Sequence, residues 1–219
     1  MSTIADYNSL KSAIQVWAAR PDSVFGNQIP VFVEMAEARL YDGAGQIGDE
    51  IYSPPLRSSV METTASIAMT DGVGYLPENA LEIRRIYQSG DLRGLTYAPP
   101  ERFKVFAANN SAAADGIYYT VEGGQISVAP ADSSDIVVNY FMRHPAITTS
   151  QTTGPLLSEH GTIYLAACLF EAFSFMQEGQ LAGAHLARLR SMVAGANRTA
   201  STMRMPSSMQ RVRVRNSIP

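Results

Sequence analysis

The sequence predicts an α+β fold: helices from the two ends of the chain form a bundle, an antiparallel β-rich section is inserted between them, and an extended C-terminal arm follows. Apolar residues recur at helical spacing near both ends of the 219-residue chain, alternate with polar residues in its middle, and lose their helical period at its end. The predicted divisions are 1–56 with 156–201 for the helical body, 57–155 for the β-rich section, and 202–219 for the arm.

Two helices are predicted before the β-rich section. The first covers residues 6–19, with Asp6 as its N-cap, because Asp side chains accept hydrogen bonds from the first helical amides. Its apolar residues are Leu10, Ile14 and Trp17. The second begins near Pro30, which the first turn of a helix tolerates, and ends at Gly43. Its predicted apolar stripe consists of Phe32, Met35, Ala36 and Leu40.

The middle of the chain has the period-two alternation that is typical of strands. Strands are predicted from Ser58 onward and over 81–88, 92–97, 116–122, 125–130 and 135–143. Gly123 and Gly124 lie between two of these segments and predict a tight hairpin, because glycine adopts positive φ without a steric penalty. A short helix is predicted over 99–109.

Two further helices are predicted after the β-rich section. Ser158 is a candidate N-cap for a segment that is apolar on nearly every face and that contains Cys168, so this helix is expected at the centre of the helical packing. The last helix covers 181–201 and is amphipathic. Its apolar residues are Leu181, Ala184, Leu186, Leu189, Met192 and Val193.

The spacing of reactive residues predicts neither an enzyme nor a metal site. His144, His160 and His185 are isolated from one another, and no phosphate-binding glycine loop opens a helix. Glu34 and Glu37 flank an apolar stripe, where solvated or ion-paired carboxylates are common, and Cys168 is expected to fill the core. The sequence therefore predicts no catalytic residues, no cofactor and no metal.

Charge is distributed unevenly along the chain. The formal net charge is −3, yet residues 179–219 contain seven arginines and no acidic residue. A basic end is expected to meet a negative partner, either the acidic body of a second copy or nucleic acid. Within this end, residues 211–215 alternate arginine with valine, as a strand does. The predicted binding residues of the arm are Arg204, Met205, Met209, Arg211, Val212, Arg213, Val214 and Arg215.

An ordered series of segments resembles the adaptor proteins of tailed bacteriophages, over about residues 28–215. The segments are "IPVFVEMAEARLY", "VMETTASIAMTDGVGYLPENALEIRRIY", "IYYTVEGGQISVAP", "DIVVNYFMR", "YLAACLFEAFSFM" and the terminal "RVRVR". The resemblance implies a structural protein that forms a ring, commonly of twelve copies, under the portal. That ring would extend the DNA channel and provide the surface to which the tail attaches.

The resemblance also implies the partners and the location. The expected partners are the portal protein, a tail or nozzle protein and further copies of the chain, with weak, non-specific contact to packaged DNA and no membrane. The expected location is the virion, at the head–tail junction. The N-terminus has neither a basic region nor an apolar signal segment, so synthesis in the host cytoplasm is expected. The alternative is a nucleic-acid-binding protein that uses the basic arm.

Overall fold

The structure is a computed structural model that describes residues 4–43, 53–90, 94–109, 116–131 and 133–204. These residues form two compact units. The helical unit contains residues up to 60 and from 144 onward, and the β-rich unit contains Met61–Arg143. Five α-helices and seven strands lie within the described ranges, so the predicted α+β class is confirmed.

The two N-terminal helices are α1 (Tyr7–Trp17) and α2 (Ser23–Asp42). Asp6 caps α1 as predicted, because its Oδ1 accepts from the Ser9 amide at 2.7 Å. The predicted start of α2 at Pro30 is wrong: Asp22 caps the helix through the Phe25 amide at 2.9 Å, and Pro30 lies inside it. Proline inside a helix removes one backbone hydrogen bond. The helix tolerates this loss at Pro30 because the residue is exposed and because the Asp22 cap stabilises the first turn.

The two C-terminal helices are α4 (Pro155–Phe175) and α5 (Gly179–Arg204). Ser158 is not the N-cap of α4. Gly154 occupies that position and proline follows it at the first helical residue, where its missing N–H costs nothing. Helix α4 is kinked at His160, next to Gly161, and most of its residues are buried, as expected for a central helix. Helix α5 continues to Arg204, three residues past the predicted end at 201.

The β-rich unit contains two sheets and one helix, α3 (Pro100–Asn109). The strands are β1 (Glu62–Ile67), β2 (Val73–Tyr75), β3 (Ala80–Gln88), β4 (Thr96–Tyr97), β5 (Tyr118–Glu122), β6 (Gln125–Ala129) and β7 (Ile136–Met142). One sheet has the order β1-β7-β3 and the other β2-β6-β5-β4. All pairs are antiparallel except β4 with β5, which are parallel, so the expectation of a purely antiparallel section is corrected.

The hairpin between β5 and β6 turns at the predicted glycines. Gly123 and Gly124 have φ angles of 58° and 81°, and Glu122 pairs with Gln125 across the turn. The apolar core of this unit draws on both sheets. Its buried residues are Ile67, Met69, Ile86, Ile126, Val128, Ile136, Val138 and Tyr140.

Side chains of the helical unit hold the two segments that lead to and from the β-rich unit. On the first segment, Asn197 of α5 accepts from the Arg57 amide at 2.7 Å and donates to the Pro55 carbonyl at 2.9 Å. On the second, Glu37 Oε1 accepts from the Ile147 amide at 3.0 Å and from the Tyr164 hydroxyl at 3.1 Å. Glu37 is buried, so of the two environments expected for this carboxylate, solvated or ion-paired, the solvated one is wrong.

Candidate interaction surfaces

The predicted arm residues lie almost entirely outside the described part of the chain. Arg204 is the last residue of α5. Met205, Met209, Arg211, Val212, Arg213, Val214 and Arg215 lie outside the described residues. The predicted role of the arm stays a prediction.

Several apolar residues that the sequence assigned to inward faces lie outward instead. Trp17 is 52% exposed, Met35 48% and Leu181 44%, and Ala184 is also exposed. Helical periodicity places these residues within one turn of buried ones but does not fix the edge of the buried face. Outward apolar side chains of this kind are candidates for contact with another protein.

One such surface runs along α2, and we call it the α2 outer face: Val24, Asn27, Val31, Glu34, Met35, Ala38 and Asp42, all exposed. These positions recur at intervals of three and four residues, so they share one side of the helix. Val24 is 73% exposed, and Val31 and Met35 continue the apolar row. Glu34 and Asp42 make the face acidic.

A second surface, the α5 outer face, runs along α5: Ala184, Ala187, Arg188, Ser191, Gly195 and Arg198, all exposed. Four of these residues have small side chains or none, which lets another helix approach closely. Arg188 and Arg198 make the face basic. The Arg188 guanidinium also lies 5.3 Å from the centroid of the Trp17 ring.

The two outer faces lie on different sides of the helical unit, because α4 separates their helices. On one side of α4, Glu171 pairs with Arg39 of α2 at 2.9 Å. On the other, Phe173 stacks on His185 of α5 with 5.2 Å between ring centroids. Residues two apart on a helix point to nearly opposite sides, so α2 and α5 flank α4.

The β-rich unit has an apolar cleft and sheet edges of its own. The cleft lies between β3 and the ring pair of Tyr97 and Tyr119, whose centroids are 5.6 Å apart. Tyr97 is half exposed. Within the described strands, β1 and β3 are the edges of one sheet, and an edge strand offers backbone groups to which another strand can bond.

Burial shifts the pKa of several of the reactive residues singled out in the sequence. Cys168 is fully buried, and burial raises the pKa of its thiol well above its usual range, as expected for a core residue. Burial lowers the pKa of His160, whose Nε2 lies 2.6 Å from Ser58 Oγ, and likewise the pKa of His185. In the described ranges, no three His, Cys, Asp or Glu side chains are grouped closely enough to bind a metal ion.

Burial also determines the protonation of Tyr164. The largest cause is its removal from water, and the second is the nearby Glu37 carboxylate. Together they hold the pKa of this phenol well above its ordinary value. Tyr164 therefore stays protonated and donates to Glu37.

None of the helices in the described residues has the length and apolar content that crossing a bilayer requires.

Comparison with known proteins identifies one family. The family model described as "SU10 adaptor protein" matches residues 5–215, nearly the whole chain. A search of curated proteins gave no match. The matched range contains the β-rich unit and nearly all of the helical unit, and it reaches Arg215, the last arginine of the predicted arm.

Proposed function

The chain belongs to the SU10 adaptor protein family, and on this premise we propose that it forms a ring under the portal of a tailed bacteriophage. The ring, commonly of twelve copies, extends the DNA channel and provides the surface on which a tail or nozzle protein assembles. The protein is made in the host cytoplasm and resides at the head–tail junction of the virion. The observation that carries the proposal is the family match over 5–215.

The proposed architecture is a helical bundle with an inserted β-rich section and an extended arm that follows Arg204, the last residue of α5. The helices before and after Met61–Arg143 supply the bundle. The role is structural, since adaptor proteins connect other virion components. The proposal involves no catalytic group, cofactor or metal.

The arm binds the portal or a neighbouring copy by adding a strand to a sheet edge. Backbone hydrogen bonds supply the affinity, and the alternation of Arg211, Arg213 and Arg215 with two valines supplies the specificity. Ordering each arm residue costs about 1–2 kcal/mol in backbone entropy, so the arm binds in its strand form only when a partner offsets that cost. The ring adds to the affinity, because each docked arm brings the next one close to its site.

Two variants and a control test the arm. Deletion of 203–219 and Val214→Pro should both abolish portal docking in co-sedimentation, because proline removes a ladder donor and disfavours a paired strand. Val214→Pro retains all the arginines. Val214→Thr, which keeps strand propensity, is the control and should still dock.

The same variants separate portal docking from nucleic-acid binding. If the arm bound DNA through its charge, Val214→Pro would leave the affinity intact, the deletion would abolish it, and the affinity would fall steeply with salt. That result, together with undiminished portal docking by the deletion variant, would overturn the proposal.

A further inference from the structure

We propose that neighbouring copies in the ring contact each other through the helical unit, with the α2 outer face of one copy against the α5 outer face of the next. This inference rests on the proposed ring and specifies its subunit interface. It uses residues of the described structure and does not involve the arm.

A closed ring of identical copies needs a head-to-tail contact between two different surfaces of each copy. The surfaces must also lie on different sides of the subunit, so that one copy can contact two neighbours at once. The α2 and α5 outer faces meet this requirement, because α4 lies between their helices and contacts α2 through Glu171 and α5 through Phe173.

The charges of the two faces are opposite. The α2 outer face has Glu34 and Asp42 and no basic residue, whereas the α5 outer face has Arg188 and Arg198 and no acidic residue. Contact between two α2 faces would bring carboxylates together, and contact between two α5 faces would bring guanidinium groups together. Opposite charges therefore favour the pairing of α2 with α5 and disfavour the symmetric alternatives.

The side-chain sizes of the two faces are also complementary. The α2 outer face exposes Val24, Val31 and Met35, apolar side chains that gain free energy when they leave water. The α5 outer face is lined by small residues such as Ala187 and Ser191, between which larger side chains can pack. Met and Arg are residue types enriched in protein interfaces.

Cysteine cross-linking tests the contact directly. The chain has one natural cysteine, Cys168, which is buried and should not react while the protein is folded. Met35→Cys and Ala187→Cys place exposed thiols on the two faces. With a short bismaleimide, an equimolar mixture of the two single variants should give a covalent dimer, and the double variant should give a ladder of higher oligomers.

Each single variant alone is the matched control and should remain uncross-linked. A dimer from Met35→Cys alone would mean that two α2 faces meet, and would overturn the proposal. Absence of the mixed dimer, both in concentrated protein and in the assembly with the portal protein, would overturn it as well.

Charge reversal provides a second test by sedimentation of the assembled ring. Glu34→Arg and Arg188→Glu should each raise the protein concentration needed for half-assembly by about tenfold, because each places like charges across the interface. The variant that carries both changes should return to within about threefold of the parent. Failure of the double variant to recover, while each single variant keeps its helical circular dichroism, contradicts the proposed pairing.

Failure of this inference can be distinguished from failure of the proposed function. Rings that bind the portal but give no cross-link between the Met35→Cys and Ala187→Cys variants would overturn the interface and leave the adaptor role intact. Cross-linked rings that do not bind the portal would support the interface and count against the proposed role.

Discussion

The helical and β-rich units differ in the buried polar side chains that they contain. Among the described residues, the buried charged side chains are Glu37 and Glu171, both in the helical unit. In the β-rich unit the buried polar residue is Thr120, and the core is otherwise apolar. The difference shows where each unit obtains partners for its backbone.

Strand ladders supply those partners in the β-rich unit, since each strand bonds to a neighbour. The segments of the helical unit at 53–60 and 144–154 contain no strand beyond an isolated bridge, yet they include buried backbone groups. Because an unpaired buried amide is costly, side chains from the helices must reach these segments. Glu37 and Asn197 do so, which explains why the helical unit contains a buried carboxylate and a partly buried amide.

The largest expected effect comes from the apolar core of the β-rich unit. Ile126→Ala removes a fully buried side chain and should lower the free energy of unfolding by about 2–5 kcal/mol, through lost burial and the cavity that remains. Denaturant unfolding followed by far-ultraviolet circular dichroism measures the change. Trp17, the single tryptophan, reports on the helical unit in the same samples. An unchanged circular dichroism midpoint would contradict the prediction.

A smaller loss is expected from the polar core of the helical unit. Glu37→Ala leaves the Ile147 amide without its acceptor, and should lower the free energy of unfolding by about 1–3 kcal/mol. Trp17 fluorescence during urea unfolding measures it. Glu34→Ala, on the exposed side of the same helix, is the control and should change the value by less than about 0.5 kcal/mol. Equal effects of the two substitutions would refute the role assigned to Glu37.

The stability of the helical unit should also depend on pH, with a smaller effect than that of Glu37→Ala and with a definite sign. Burial lowers the pKa of His160 below its ordinary value of 6.5, so folding favours the neutral ring. The stability that this adds is complete above pH 6.5 and is lost as the pH falls from 6.5 through the lower pKa of the folded state. Urea midpoints measured from mildly alkaline to mildly acidic pH should therefore decrease, and His160→Gln should flatten the decrease. A steeper slope in the variant would contradict the assignment.

The smallest effect is expected at the surface of the β-rich unit. Arg84 Nη1 of β3 lies 2.9 Å from Glu62 Oε1 of β1, with both side chains about one-third exposed at 30% and 34%. Solvent screens such pairs, so Arg84→Ala should cost no more than about 1 kcal/mol, and less at high salt. Thermal unfolding at two salt concentrations tests this. If Arg84→Ala lowered the free energy of unfolding as much as Ile126→Ala does, the predicted difference between core and surface residues would be wrong.

The sequence predicted those elements whose signals are local. Asp6 identified the start of α1, and the glycine pair at 123–124 identified the hairpin, because a cap and a tight turn depend on a few adjacent residues. The strand β2 was not predicted, since it has three residues and includes Gly74. A Cβ at Gly74 would lie 2.7 Å from Ile67 Cγ2 and from Met69 Sδ, a close approach that only the folded structure reveals.

The candidate surfaces could be predicted only in part. The excess of arginine after residue 178 is visible in the sequence, but the outward position of Met35 is not. Met35 is adjacent to the buried Ala36, and the boundary between them depends on where α4 packs. The buried Glu37 was missed for a similar reason, because its partner Ile147 is 110 residues away in the chain.

The interruption of the helical unit by the β-rich unit affects how the protein emerges from the ribosome. Helix α2 ends at Asp42, whereas α4 begins at Pro155. At about 5–20 residues per second, roughly 6–23 s pass between the synthesis of these two points. During that interval the apolar residues of α1 and α2 lack α4, the helix against which they pack. Met61–Arg143, in contrast, is a continuous stretch that can fold first. Nascent chains stalled shortly after Arg143 should therefore bind chaperones through their N-terminal helices and release them once translation has passed α4.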